Sequence, residues 1–168
     1  MYHFFVEPSQ IHTNDNTVVI LGSDVNHIKN VLRMKPGEQV RISNQRGRDF
    51  LCSVAALSEQ EILLNIEERD IKNTELASKI YLFQGIPKGE RMETVIEKAV
   101  ELGVYEIIPV AMKYCVVKLD EKKAQKKVAR WQEIARSAAK QSKRSLIPQI
   151  HPVMNFREAA AYAQQCDR

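Results

Sequence analysis

The feature that most constrains the fold is a change of hydrophobic period near residue 70. Before it, apolar residues alternate one by one: Val40 and Ile42 in 39–43, Phe50, Cys52 and Val54 in 49–57, Ile62, Leu64 and Ile66 in 61–67. That is the period of strands burying one face. After it, strand-like runs alternate with apolar residues at helical spacing, as in Met92, Val95, Ile96, Ala99 and Val100, then Val128, Trp131, Ala135 and Ala138. The two patterns predict two units, residues 1–72 and 73–168, joined through the polar stretch Asp70–Ser78.

In the first unit, Tyr2–Val6 and Thr17–Leu21 add β-rich runs, and Asn44-Gln45-Arg46-Gly47 is a hairpin-turn signal. One helix interrupts the strands. Ser23 or Asp24 can cap it, Ile28, Val31 and Leu32 share a side, and Pro36-Gly37 stops it. The expectation is a small β-barrel-like domain with a helical insertion. In the second unit a strand at 79–84 leads through Gly85-Ile86-Pro87-Lys88-Gly89 into a helix at 90–102 that Gly103 stops. A strand at 105–111 follows, then a long helix from Asp120 to about Ser142 and a last helix from Asn155 to about Gln165. This order predicts a mostly parallel sheet, so the chain reads as an α+β/α/β two-domain protein.

Charge follows the same division. Residues 1–75 hold 8 Lys and Arg against 11 Asp and Glu, whereas residues 76–168 hold 17 against 10. Residues 113–144 alone hold 11 basic and 3 acidic groups. A clustered basic stripe is the footprint of phosphate contact; it is also what a solvated Lys-rich helix face looks like. With 44% hydrophobic and 27% charged residues, a disordered chain is disfavoured. No apolar run is long enough to span a bilayer, and residues 1–8 carry no basic, apolar leader. Cys52, Cys115 and Cys166 are scattered, as are His3, His12, His27 and His151. Neither a disulfide framework nor a metal site is expected, and a reducing cytoplasm fits.

Three constellations could carry chemistry. The loop 85–89 lies between strand and helix, where free N–H groups can hold an anion and Lys88 adds a charge, although it is neither a Walker loop nor a dinucleotide fingerprint. An ordinary connection is the other reading. Glu93, Glu97 and Glu101 form an acidic stripe, either solvated or facing a basic helix. Ala139-Lys140-Gln141-Ser142-Lys143-Arg144 closes the basic helix with groups suited to base edges and phosphates, or is a plain helix end. His27, Lys29 and Arg33 share the insertion helix, where they are solvated or touch RNA.

Several phrases in order resemble one family. They are Asn26-His27-Ile28-Lys29-Asn30-Val31-Leu32-Arg33-Met34-Lys35-Pro36-Gly37, Lys88-Gly89-Glu90-Arg91-Met92-Glu93, Glu97-Lys98-Ala99-Val100-Glu101-Leu102-Gly103-Val104 with Pro109, Arg130-Trp131, and Ala138 through Arg144 with Ile147-Pro148. The set is similar to the RsmE family, the bacterial 16S ribosomal RNA uridine-N3 methyltransferases, from the N-terminus to about Pro152.

The resemblance implies a PUA-like RNA-binding barrel followed by a SPOUT-class methyltransferase domain with a C-terminal trefoil knot. It implies S-adenosylmethionine as donor, 3-methyluridine in 16S rRNA of the small subunit as product, no metal, and a cytoplasmic homodimer. Gln141 and Arg144 match the family's Gln-Ser-x-Arg phrase and are candidates near the target base. His3, His27, Lys29, Arg33, Lys88, Arg130 and Lys140 are the candidate RNA contacts, and Lys88 and Glu101 match phrases at element ends. Family members continue through Gly-Pro-Glu-Gly-Gly and Leu-Gly-x-Arg-Ile-Leu-Arg-x-Glu-Thr phrases that form the knot and most of the cofactor pocket. This sequence stops at Arg168 before both, so it is expected to be a fragment, with an incomplete second domain and its cofactor residues beyond Arg168. Two other readings compete: a non-catalytic RNA-binding module complete as written, and an α/β enzyme that does not act on RNA, whose basic helix serves solubility.

Overall fold

The alternating segments before residue 70 pair into one six-stranded sheet in the computed structural model, which describes residues 1–72, 75–113 and 120–167. Its strands are β1 (Tyr2–Phe5), β2 (Ile11–His12), β3 (Thr17–Leu21), β4 (Gln39–Ser43), β5 (Asp49–Leu57) and β6 (Glu61–Arg69). The order is β1-β4-β5-β6-β3-β2; β1 lies parallel to β4 and the other pairs are antiparallel. Every second residue points into one core, made of Phe4, Val18, Ile20, Val40, Ile42, Phe50, Cys52, Val54, Ile62 and Leu64 among others. The sheet buries one face around its own core through that alternation, which is interrupted by register shifts between β5 and β6 at Leu51/Cys52 and Val54/Ala56. The hairpin turn forms where expected, with Gln45 and Gly47 at φ 61° and 87°.

The insertion helix departs from expectation. A short α1 (Ser23–Asn26) runs directly into a π turn (His27–Val31), and Gly22, at φ 73°, stands at the cap position in place of Ser23 or Asp24. The wider turn, closed by Leu32 N–H donating to His27 C=O at 2.9 Å, rotates less per residue. Val31 therefore leaves the side it would share with Ile28 and is 62% exposed, while Ile28 is fully buried.

The second unit contains β7 (Tyr81–Gly85), α2 (Arg91–Glu101), β8 (Glu106–Ala111), α3 (Glu121–Gln141), β9 (Gln149–Ile150), β10 (Met154–Asn155) and α4 (Phe156–Ala163). All its strand pairs are parallel, with β8 central: β7 runs along one side, β9 and then β10 along the other. Ile108 and Val110 face α4, packing on Ala159 and Tyr162, while the fully buried Ile107 points to the opposite side by the strand pleat. α2 buries Met92, Ile96 and Val100, and α3 buries Trp131, Ala135, Ala138 and Ala139. Asp120 caps α3 by accepting from the Lys123 N–H at 2.8 Å, which holds its carboxyl below the usual carboxylate range. Asn155 and Glu158 form a reciprocal capping box on α4.

The strand β9 has no hydrophobic signal of its own. It forms by parallel pairing with β8 and is held further by Gln132 of α3, whose amide donates to Pro148 C=O at 3.0 Å and accepts from Ile150 N–H at 2.9 Å. The chain divides into Met1–Glu75 with Lys143–Leu146, and Leu76–Ser142 with Ile147–Arg168. Lys143 at φ 56° ends α3, and Arg144 and Ser145 then hydrogen-bond to Glu75 and Asp49.

Candidate functional site

The parallel strands β7 and β8 end together, Gly85 opposite Val110, and the open space in an α/β sheet lies beyond such carboxyl ends. Ile86 is buried and its N–H donates to Val110 C=O at 3.0 Å, which sets the course of the loop into α2. Lys88 is exposed, and Gly89 takes φ 74°. On the α4 side, Phe83, Gly85, Val110, Met112, Phe156 and Ala159 line an apolar groove of about 360 Å³. A Cβ on Gly85 would meet Met112 Cγ at 3.3 Å, so a side chain there would narrow the groove.

A second, charged cleft of about 390 Å³ lies between the start of α2 and the middle of α3, lined by Gly89, Glu90, Glu93, Lys126, Lys127, Arg130 and Trp131. Trp131 positions it. Its indole is buried at 2% exposure, which anchors this stretch of α3 and turns Lys126 and Arg130 outward, with Lys127 Nζ 5.8 Å from the ring centroid. The Arg130 guanidinium meets the Glu93 carboxylate edge to edge, Nε to Oε1 at 2.8 Å and Nη2 to Oε2 at 3.0 Å. Of the two readings of the acidic stripe, Glu93 thus faces the basic helix, while Glu101 pairs with Lys98 on its own helix at 2.9 Å.

The candidate residues do not converge on one point. Arg130 lines the charged cleft and Lys88 precedes its lining residue Gly89, whereas Lys140, half-buried, and Gln141, exposed, lie at the far end of α3, about 15 Å along the helix from Arg130 at 1.5 Å rise per residue. In the first unit His27 is exposed on the helical insertion and Lys29 there is paired with Glu59; Arg33 does not share that helix, lying past its end at Val31 with φ 52°, and is exposed.

Two candidates are engaged in buried hydrogen-bonded contacts. His3 is half-buried; its Nε2 lies 2.6 Å from Ser43 Oγ, within a buried cluster in which Asp49 accepts from Ser43, Arg41 and Ser145. Arg144 is 5% exposed, and its guanidinium lies against Glu75, Nη2 to Oε2 at 2.5 Å and Nε to Oε2 at 3.2 Å. Burial and a carboxylate partner hold the guanidinium in this place.

Some groups carry no sequence signal. Glu106, His151 and Tyr162 meet at the amino end of β8, His151 Nε2 and Tyr162 OH lying 2.8 and 2.7 Å from Glu106 Oε2. The bond to Glu106, with desolvation, pushes the Tyr162 phenol up to about 12. The three are far apart in sequence and match no motif. Lys126 was detectable in principle, since Lys122, Lys126 and Arg130 recur at i, i+4. Cys115 and the basic-window residues 114–119 lie outside the described residues. Among the described residues, no cluster of three or more His, Cys, Asp or Glu could hold a metal ion, and no helix is long and apolar enough to cross a membrane.

Comparison with known proteins bears on both units. A family model described as an RNA methyltransferase domain matches residues 74–168, and one described as an RNA methyltransferase PUA domain matches residues 20–67. The chain is 36% identical over 169 residues to Ribosomal RNA small subunit methyltransferase E of Bacillus subtilis, covering 100% of this chain and 66% of the relative. A relative of the same name from Buchnera aphidicola (Schizaphis graminum) is 35% identical, over 80% of this chain and 55% of its own. A crystal structure described as Ribosomal RNA small subunit methyltransferase E from Neisseria gonorrhoeae bound to S-adenosyl methionine superposes with a TM-score of 0.80 at 35% identity, over 95% of this chain and 64% of that one. The chain thus spans between about half and two thirds of the length of these relatives. A sheet unit matched by a PUA-domain model, a parallel α/β unit with a basic long helix, and similarity along the whole of this chain meet in one group: the chain belongs to the RsmE family of RNA methyltransferases.

Proposed function

We propose that the protein to which this chain belongs methylates a uridine at N3 in 16S rRNA of the small ribosomal subunit, with S-adenosylmethionine as donor. The observation that carries the reading is the basic surface of the long helix α3 in a parallel α/β unit, on a chain matched by an RNA methyltransferase domain model. The finer fold assignment, a SPOUT-class unit with a trefoil knot, is part of the proposal and rests on the resemblance, as does the homodimer; the two domains at 1–72 and 73–168 rest on the change of hydrophobic period and charge, and the cytoplasmic setting on cysteine usage and the resemblance.

Uridine N3 carries a proton near neutral pH. Transfer makes the N3–CH₃ bond, breaks the donor's S–CH₃ bond and releases the N3 proton, so a site must align the reactants and settle that charge. When bound, the sulfonium donor supplies the methyl group. The residues described here do not suffice to hold it. Among the described residues, the strand-end groove is lined by Phe, Gly, Val, Met and Ala, which suit an adenine ring but offer no polar side chain to ribose hydroxyls or an amino-acid end. We place those contacts in the part of the relatives' length that this chain does not span, and assign no step through the donor.

The chain's own groups are read as RNA-holding. Lys88, Lys126, Arg130 and Lys140 neutralise phosphates, His27, Lys29 and Arg33 extend that role on the barrel, and Gln141 presents an amide able to donate and accept at a base edge. Arg144 and His3 are assigned to structure. The test is transfer of labelled methyl from S-adenosylmethionine to 16S rRNA of a strain lacking the modification, using the intact protein. Nucleoside mass spectrometry should find 3-methyluridine. Absence of transfer, or methylation at another atom, overturns the proposal.

A further inference from the structure

The charged cleft contains its own anion. Lys126, Lys127 and Arg130 converge on it from α3, yet the Arg130 fork is closed on the Glu93 carboxylate, two parallel contacts of 2.8 and 3.0 Å. That edge-to-edge geometry is the one guanidinium uses for two oxygens of a phosphate. Glu93 sits in the first turn of α2, where the helix dipole favours negative charge, so a phosphate in its place would meet the same field. The Arg130 and Glu93 side chains are 64% and 26% exposed, so the pair is weak, worth a factor of about two to five in an equilibrium. A polyanion can open it, whereas a single inorganic phosphate gains little by doing so.

Resting on the reading of α3 as an RNA surface, we propose that Glu93 is an internal phosphate surrogate: it occupies Arg130 in the free protein and yields it to an RNA backbone phosphate on binding. The exchange is of one anion for another and breaks no covalent bond. Its consequence is selectivity. An isolated polyanion contact must first displace Glu93, while an RNA that also engages Lys126 and Lys88 recovers that loss from the neighbouring contacts. Glu97, one turn further along α2, is exposed and serves as a charge-matched comparison.

The test is a double-mutant cycle on the intact protein, with binding to a 16S rRNA transcript followed over a range of salt. Glu93→Gln should tighten binding about two- to fivefold. Glu97→Gln, which removes the same charge from the same helix, should change it by less than half as much. Arg130→Ala should weaken binding and reduce the slope of log K against log salt by about one. In the Arg130→Ala background, Glu93→Gln should no longer tighten binding, because the residue it releases is gone. Equal gains from Glu93→Gln and Glu97→Gln, or a gain that persists without Arg130, overturn the surrogate role while leaving the RNA surface intact. If Arg130→Ala and Lys126→Ala both leave affinity and salt slope unchanged, the RNA reading of α3 fails and the surrogate role falls with it. Thermal melts by circular dichroism check that each variant is folded.

Discussion

Asp49 is fully buried and accepts hydrogen bonds from Arg41, Ser43 and Ser145, so its replacement by Ala should strongly destabilise the barrel unit. The Arg41 side chain is only 15% exposed, and without Asp49 its charge is stranded, a loss of about 3–5 kcal/mol. Ser43 keeps a partner in His3 at 2.6 Å, and Ser145 keeps only the long 3.4 Å contact with Arg41, so the hydroxyls add little in one case and more in the other. About 4 kcal/mol is the expected total for Asp49→Ala. Asp49→Asn preserves the volume but turns charge-assisted bonds into neutral ones, which should lose about 2 kcal/mol. With a urea dependence of ~2 kcal/mol per molar, the midpoint should fall by about 2 M for Ala and about 1 M for Asn. Urea titration by far-UV circular dichroism reads the shift, and fluorescence of Trp131, the single Trp and a residue of the second unit, reports the other transition. Arg41→Met in the Asp49→Ala background should recover part of the loss, because the stranded charge goes with it. A midpoint within about 0.5 M of wild type for Asp49→Ala, or strict additivity of the two changes, would refute the account.

Gly103, which ends α2 at φ 97°, is expected to resist substitution: Ala there adds backbone strain of about 1–2 kcal/mol, and its Cβ would sit 2.7 Å from Leu76 Cδ1. Because Leu76 is half-exposed and can turn away, Leu76→Ala should rescue little of that loss in thermal melts; full rescue would show that the clash, not φ, dominates. The Tyr162 phenol, raised to about 12, should titrate late in ultraviolet difference spectra and return toward its ordinary value in Glu106→Gln. Since the folded value lies above the unfolded value near 10, this group's contribution to stability is present below about pH 10 and lost as pH rises toward 12. An ordinary Tyr162 titration in the unsubstituted protein would remove Glu106 as its partner.

Local pattern made much of the fold legible. The runs at 39–43 and 49–57 are strands over those residues, and the long helix runs from its Asp120 cap to Gln141. These elements follow from alternation, helical spacing and capping, which act over a few residues. The π turn was hidden because a period of 3.6 and a wider turn bury nearly the same residues until one, here Val31, leaves the core. β9 was hidden because a two-residue strand has no period, and pairing with β8 and a glutamine on a distant helix hold it.

For the site, sequence alone determined which residue types were available: a basic window, an acidic stripe, a loop between strand and helix. It could not determine their partners. Arg130 and Arg144 look alike in a string of letters. The fold sets one at the surface against Glu93 and buries the other against Glu75, 69 residues earlier. The physical reason is that an ion pair depends on burial and geometry, and both arise from contacts between residues far apart in the chain. Composition and spacing therefore determined that the chain carries cations suited to RNA, and tertiary structure decided which of them are available to bind it.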